Sequence, residues 1–320
     1  MTSPALATDP ATADVTAVAD DTDVTDVGVV AAPDTHRRPR ARTVLRPPAF
    51  SPLSIFGHIR ELWQYRDLLF TLTAHRIQVR YKQSALGMAW AVLQPLALML
   101  IYTVIFSRIA RMPSDGAPYA VFAYTALLPW TTFSTALGNA TNGLTGHAGL
   151  ITKVFFPREI LPLSYIIAAL ADFVIAAVVL GGLLIYYRIP LTIHALWVGP
   201  IVLTMMVFSL VVSLFLSALQ VRFRDVGVGL PLLLQVWMFA TPVIYPLSAV
   251  MNSNRLPESA KVLYGLNPMV GIIEGFRRVV LQGAEPDLSS LSVAVIVSLV
   301  LLPLTYAYFK RTEASMADFI

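Results

Sequence analysis

Cysteine is absent from the 320 residues. That excludes disulfides, thiolate metal sites and cysteine nucleophiles. Charge is also scarce: Asp, Glu, Lys and Arg make up 13% of the chain, against about 25% in soluble domains. The five histidines, His36, His58, His75, His147 and His194, are dispersed and show no metal-ligand spacing. No G-x-x-x-x-G-K-[ST], H-E-x-x-H or G-x-S-x-G occurs, so the chain has no P-loop, zinc-protease helix or nucleophile elbow of its own. What is abundant is apolar. The AVILMFWYC residues reach 56% and the mean hydropathy is +0.68. One soluble core cannot absorb that excess, and a wholly disordered chain does not carry it. An all-α integral membrane protein remains, built on apolar runs of about 20 residues.

The net charge of +4 hides an asymmetry. Residues 1–35 hold seven Asp and no Lys or Arg, whereas residues 36–82 hold ten basic residues. Basic residues beside apolar segments read as membrane topology rather than as a nucleic-acid surface. Residues 1–50 are Ala, Thr, Asp, Val and Pro without apolar periodicity, a disordered acidic-then-basic tail. No signal-peptide h-region opens it, and its Asp21-Thr-Asp23 triplet reads as solvated charge.

Over 53–83, apolar residues recur near helical spacing but Arg60, Glu61, Arg66, Asp67 and Arg76 interrupt them. This is too charged to span a bilayer. It fits an amphipathic helix in the interface plane, or one packed on a partner. Six apolar segments follow, at about 86–109, 118–138, 160–187, 196–221, 227–250 and 288–309. Pro231, Pro242 and Pro246 interrupt the fifth. A polar stretch at 139–159 separates the second and third, and 251–287 is a polar connection with apolar islands. With the N-terminus cytoplasmic, six spans put 16 basic residues on that side and 7 on the other, which satisfies the positive-inside rule with both termini inside.

Three stretches stand out. Asp172 is the one acidic residue deep in a span; its carboxyl reads as bonded to a neighbouring helix or as functional. Lys153-Val-Phe155-Phe156-Pro157-Arg158-Glu159 sits in the 139–159 loop, where a short helix carrying both phenylalanines inserts into a soluble partner or lies on lipid. Asn267-Pro268 begins a run with helical spacing that is too short to cross, either a re-entrant helix at an outer mouth or an external helix on the bilayer. In it Glu274 and Arg278, four apart, are placed to pair. A sugar path would suit the aromatics Trp90, Tyr102, Tyr124, Trp130, Phe133, Trp237, Phe239 and Tyr245, since C–H faces of sugars stack on rings.

Five stretches taken in order resemble one family, the ABC type-2 export permeases for lipid-linked polysaccharides. They are Val79-Arg-Tyr-Lys82-Gln-Ser84-Ala-Leu-Gly87-Met-Ala-Trp90 running into Leu93-Gln94-Pro95, the 153–159 stretch, Arg222-Phe-Arg224-Asp225-Val226, Thr241-Pro242-Val-Ile-Tyr245-Pro246, and Asn267-Pro268 with Glu274-Gly275-Phe276-Arg277. The resemblance covers about 53–320. It implies a homodimeric permease in a bacterial plasma membrane, paired with two separate ATPase subunits that hold ATP and Mg; this chain itself binds no cofactor and no nucleic acid. It implies a coupling helix within about 148–159, with Lys153, Phe155, Phe156, Pro157, Arg158 and Glu159 contacting the ATPase. Re-entrant gate helices fall within about 252–286, with Asn267, Pro268, Glu274, Phe276, Arg277 and Arg278 at the outer gate. The substrate that the resemblance implies is a glycan on an undecaprenyl diphosphate-type lipid. Arg76, Arg80 and Lys82 are placed to attract its diphosphate, though ordinary positive-inside charge explains them equally. Two other readings stay open: a permease of the same frame for a drug or small lipid, and a membrane-embedded enzyme on lipid-linked sugars, using Asp225 beside Arg224 or Glu159 beside Arg158.

Overall fold

The computed structural model describes residues 62–82, 87 and 89–319. The expectations for 1–50 and for the first residues of the 53–83 segment lie outside them. In chain order the helices are α1 (Arg66–Lys82), α2 (Ala89–Tyr102), α3 (Tyr119–Gly146), α4 (Ala148–Lys153), α5 (Ile160–Tyr186), α6 (Val198–Arg222), α7 (Asp225–Phe239), α8 (Leu247–Met251), α9 (Glu258–Gly265), α10 (Pro268–Leu281) and α11 (Leu288–Phe319). A π-helix over Thr103–Ile109 prolongs α2, and a 3-10 turn over Ile193–Trp197 leads into α6. No strand occurs among the described residues.

Four stretches are long and apolar enough to cross a membrane: Ala89–Ile109, Ile160–Tyr186, Ile193–Arg222 and Leu288–Glu313. They match the expected first, third, fourth and sixth segments. The other two differ in instructive ways. Helix α3 runs 28 residues, eight past the expected end at 138. Its last turns are polar, and their side chains bond back onto the helix, Asn142 Nδ2 donating to the Gly138 carbonyl at 3.0 Å and Thr145 Oγ1 to that of Asn142 at 3.1 Å, while Ala140, Gly143 and Leu144 pack inward. It is the innermost helix, touching α2, α5, α6 and α10. Protein rather than lipid therefore covers it, and it needs less apolar sequence than a lipid-facing span. The expected fifth segment is not one continuous helix. α7 has 15 residues, about 22 Å of rise against a hydrocarbon core of about 30 Å. The chain then turns through Pro242 and Pro246 into α8, since proline has no N–H to continue a helix.

Helix α1 lies against α5. Helix α10 is buried along almost its whole length, from Pro268 to Val280, against α3, α6 and α11; it does not lie exposed on a surface. Gly271 permits that closeness: a Cβ there would overlap the Ser290 carbonyl oxygen of α11, the small-residue logic of tight helix pairs. Asn267 caps α10 by accepting from Met269 N at 3.1 Å, and Pro268 follows at the first helical position, where its missing N–H costs nothing.

Candidate functional site

At one end of α3 the chain turns at His147 into the six-residue α4, which stops at Lys153. Val154 is extended, and Phe155 and Phe156 follow it outside any helix. This corrects the expectation of a helix carrying both aromatics. Pro157 is the reason, because the residue before a proline is pushed out of the helical region. The two rings also part company. Phe155 is 93% exposed, whereas Phe156 is 5% exposed and packs with Leu144, Ile151, Ile160, Leu161 and Phe309.

Behind this turn lies an ionic network. Glu159, 3% exposed, accepts from Tyr306 Oη at 3.0 Å and from Lys310 Nζ at 2.9 Å. Lys310 also reaches Glu313 at 2.8 Å. Arg158 Nη1 donates to the Glu313 carbonyl oxygen at 2.6 Å, and its backbone N–H to a Glu313 carboxylate oxygen at 3.3 Å. The loop between α4 and α5 is thus bolted to the last turns of α11. Sequence reasoning missed Tyr306, in the last turn of the expected final span, and Lys310 and Glu313 just beyond its end. The available signal was their 4- and 3-residue spacing, which sets all three on one helical face. Both Glu159 oxygens are committed to this network, so no open carboxylate stands here for the acid–base enzyme reading. Asp225, the other candidate, is exposed beside an exposed Arg224. No group of three metal-ligating side chains occurs among the described residues.

A second constellation joins α1 to α5. Arg76 Nε donates to Ser164 Oγ at 2.7 Å, and its guanidinium lies 3.3 Å from the centre of the Tyr165 ring. Burial draws the Arg76 pKa below the usual arginine value, and Tyr165 opposes the fall. One turn on, Arg80 pairs with Asp172, so the carboxyl is bonded to a neighbouring helix. Lys82 is exposed. The Arg80–Asp172 pair forms one wall of a groove of about 340 Å³, lined further by Trp90 and Gln94 from α2 and by Thr131, Thr135 and Asn139 from α3.

A third set sits at the far end of α3. Asn267 Nδ2 donates to the Ala240 carbonyl at 3.1 Å and to Thr241 Oγ1 at 3.0 Å, and Trp237 Nε1 donates to Asn267 Oδ1 at 3.2 Å. This staples the start of α10 to the end of α7. Arg277, 1% exposed, donates to the Pro242 and Val243 carbonyls at 2.9 and 3.2 Å, pairs with Glu274 at 3.2 Å and lies 3.8 Å from the centre of the Phe122 ring. The expected partner of Glu274, Arg278, is instead exposed. Both spacings allow a pair on a helix; burial selects the one on the inner face.

The aromatics divide likewise. Tyr124, Trp130 and Phe133 are buried. Phe133 stacks on Phe208 with ring centres 5.6 Å apart, and Trp237 meets it edge-on at 5.3 Å. Tyr124 Oη donates to the Ala176 carbonyl at 3.0 Å. These hold helices of the chain together. Tyr102 and Tyr245 are half-buried, with Tyr245 Oη donating to the Phe239 carbonyl at 2.6 Å. Trp90 and Phe239 are exposed. Phe276 is buried, edge-on to Phe173 at 6.0 Å.

Comparison with known proteins adds the family context. A family model described as "ABC-2 type transporter" matches residues 67–281. A protein of Myxococcus xanthus named O-antigen export system permease protein RfbA is 34% identical over 263 residues, 82% of this chain and 98% of that protein. The Klebsiella pneumoniae protein of the same name is 27% identical over 79% of this chain and 95% of its own length. The Escherichia coli polysialic acid transport protein KpsM is 25% identical over 77% of this chain and 93% of its own.

Proposed function

The chain belongs to the ABC-2 type transporter family, and from that premise we propose that it is the permease of an ATP-driven exporter of lipid-linked polysaccharide. The relatives named for O-antigen export and polysialic acid transport support the substrate class. On this reading two copies of the chain assemble with two separate ATPase subunits, which hold ATP and Mg. The cargo is a glycan on an undecaprenyl diphosphate-type carrier, moved outward from the cytoplasm through a bacterial plasma membrane.

Six crossings complete the frame. The four apolar stretches are joined by α3 and by the α7–α8 segment, and both termini then lie on the cytoplasmic side, as the 16-to-7 split of basic residues favours. The 148–159 turn is cytoplasmic in this arrangement, and the α7–α10 staple lies at the outer mouth as its gate.

One observation carries the coupling role: a fully presented Phe155 on a turn whose base is locked by Glu159, Lys310 and Arg158. An apolar ring held out on a rigid base suits a groove on the ATPase. Motion of that groove then passes into α5 and α11 together rather than being absorbed in a bending loop, which couples nucleotide state to the transport path. Lys153 beside it is exposed and adds a charge at the contact. For the carrier diphosphate, Lys82 is the accessible cation at the end of α1; Arg76 and Arg80 hold α1 against α5 through Ser164, Tyr165 and Asp172.

The test is ATP-dependent transport. The chain is co-purified with its ATPase and reconstituted, and movement of the lipid-linked glycan is followed with and without ATP. Movement that needs ATP and is lost in Phe155→Ala supports the proposal. A complex that moves drugs or small lipids but no glycan overturns the substrate. A chain that binds no ATPase overturns the permease role and returns the embedded-enzyme reading.

A further inference from the structure

We infer that the groove between α2, α3 and α5 is a saccharide subsite that takes an uncharged sugar residue of the exported chain; this rests on the glycan-export reading. The groove holds about 340 Å³, near the lower end of small-molecule sites and suited to one or two sugar rings. Its position is intermediate. At about 1.5 Å per residue, Asn139 lies roughly 10 Å and Thr131 roughly 22 Å along α3 from the end at Gly146, so the groove lies at a depth between the 148–159 turn and the far end of α3.

The lining has the chemistry that sugars need. Thr131, Thr135 and Asn139 recur every four residues and so form one polar stripe on α3. Thr131 gives its hydroxyl proton to the Leu127 carbonyl at 2.8 Å, which leaves its oxygen as an acceptor toward the groove. The amides of Gln94 and Asn139 each donate and accept. Trp90, 51% exposed, offers an apolar ring beside them. Sugar hydroxyls taken out of water are costly unless bonded, and this stripe, with Gln94 and the Arg80–Asp172 pair, supplies those bonds.

Charge selects the sugar. Arg80 is answered by Asp172, so the pair presents a donor edge and an acceptor edge with no net charge. A hydroxyl inserts there by accepting from the guanidinium and donating to the carboxylate. A uronate or phosphate instead has to compete with Asp172 for Arg80 while facing the displaced carboxylate. The groove therefore favours neutral residues and disfavours acidic ones.

The test uses the full chain with its ATPase in cells making their own polymer. A photo-crosslinking amino acid replaces Gln94 or Asn139 and, as a control on the exposed side of α5, Val178. After irradiation the chain is purified under denaturing conditions, and attached carbohydrate is quantified and hydrolysed. Carbohydrate at both groove positions, at least tenfold above Val178 and made of neutral sugars, is the expected result. Groove adducts no stronger than the control while export proceeds, or adducts dominated by uronate or phosphorylated sugars, overturn the inference. A second variant guards against misfolding: Thr135→Val with Asn139→Leu lowers export at least tenfold at unchanged protein level and ATPase association, and unchanged export overturns the subsite. If deleting the chain leaves glycan export intact, the export reading itself fails, an outcome separate from these.

Discussion

Lysine 310 sits between two carboxylates, 2.9 Å from Glu159 and 2.8 Å from Glu313. Replacing it with Met removes the cation bonded to a Glu159 side chain that is 4% exposed, and leaves two negative charges facing each other. Breaking a buried ion pair from one side costs about 3–5 kcal/mol. The lysine is itself 20% exposed, so some water reaches the gap and the lower figure, about 3 kcal/mol, applies. Glu159→Gln is milder, about 1–3 kcal/mol, because Lys310 keeps Glu313 and Tyr306 keeps an acceptor. The two changes share one bond and do not add: the double variant is less destabilised than the sum by about 1–3 kcal/mol. Thermal unfolding of the purified chain in lipid nanodiscs reads this out. At about 2 °C per kcal/mol for a chain of this size, Lys310→Met lowers the midpoint by about 6 °C. A shift below 1 °C, or strict additivity in the double variant, would refute the claim that a buried network holds the 148–159 turn.

Phe155→Ala leaves the melting midpoint unchanged, because its ring touches little of its own chain, yet abolishes co-purification with the ATPase; Phe156→Ala does the reverse, costing about 3–5 kcal/mol as a core cavity. Gly271→Ala pushes a methyl into the Ser290 backbone and costs about 1–3 kcal/mol by overpacking, whereas Gly229→Ala, with open space around it, stabilises α7 by about 0.5–1 kcal/mol; melting curves of the two variants check the contrast. The Asp287 carboxyl is held below the usual carboxylate range, first by the Ser290 hydroxyl at 2.6 Å and then by the Ser289 hydroxyl and N–H, against the opposing pull of burial. A lowered folded pKa means the charge stabilises fully above the unfolded value of about 3.9 and ceases to do so as pH falls through the folded value. Asp287→Asn therefore melts below the parent at pH 7, with the gap closing as pH drops under about 4, and a gap constant from pH 7 to 3 would show that the charge contributes nothing.

Sequence alone determined the class and the frame. Apolar runs of about 20 residues separated by charge admit few solutions other than helices in a bilayer, and the first, third, fourth and sixth segments appear close to where composition puts them. Motif order across the chain pointed to the family before any geometry. Tertiary packing decided the rest. Hydropathy assumes that a helix faces lipid, so it ended the second segment at 138, whereas α3 faces other helices and runs to Gly146. Three prolines marked the fifth segment as interrupted, whereas the 15-residue α7 runs through Pro231 and only Pro242 and Pro246 fall in the turn that follows. Spacing allowed Glu274 to pair with Arg278, and only burial of one face gave it Arg277. The same limit explains the sites. Glu159 and Lys310 are 151 residues apart, as Arg80 and Asp172 are 92 apart. Local periodicity reports which face of a helix is apolar, but not which distant helix comes to lie against it.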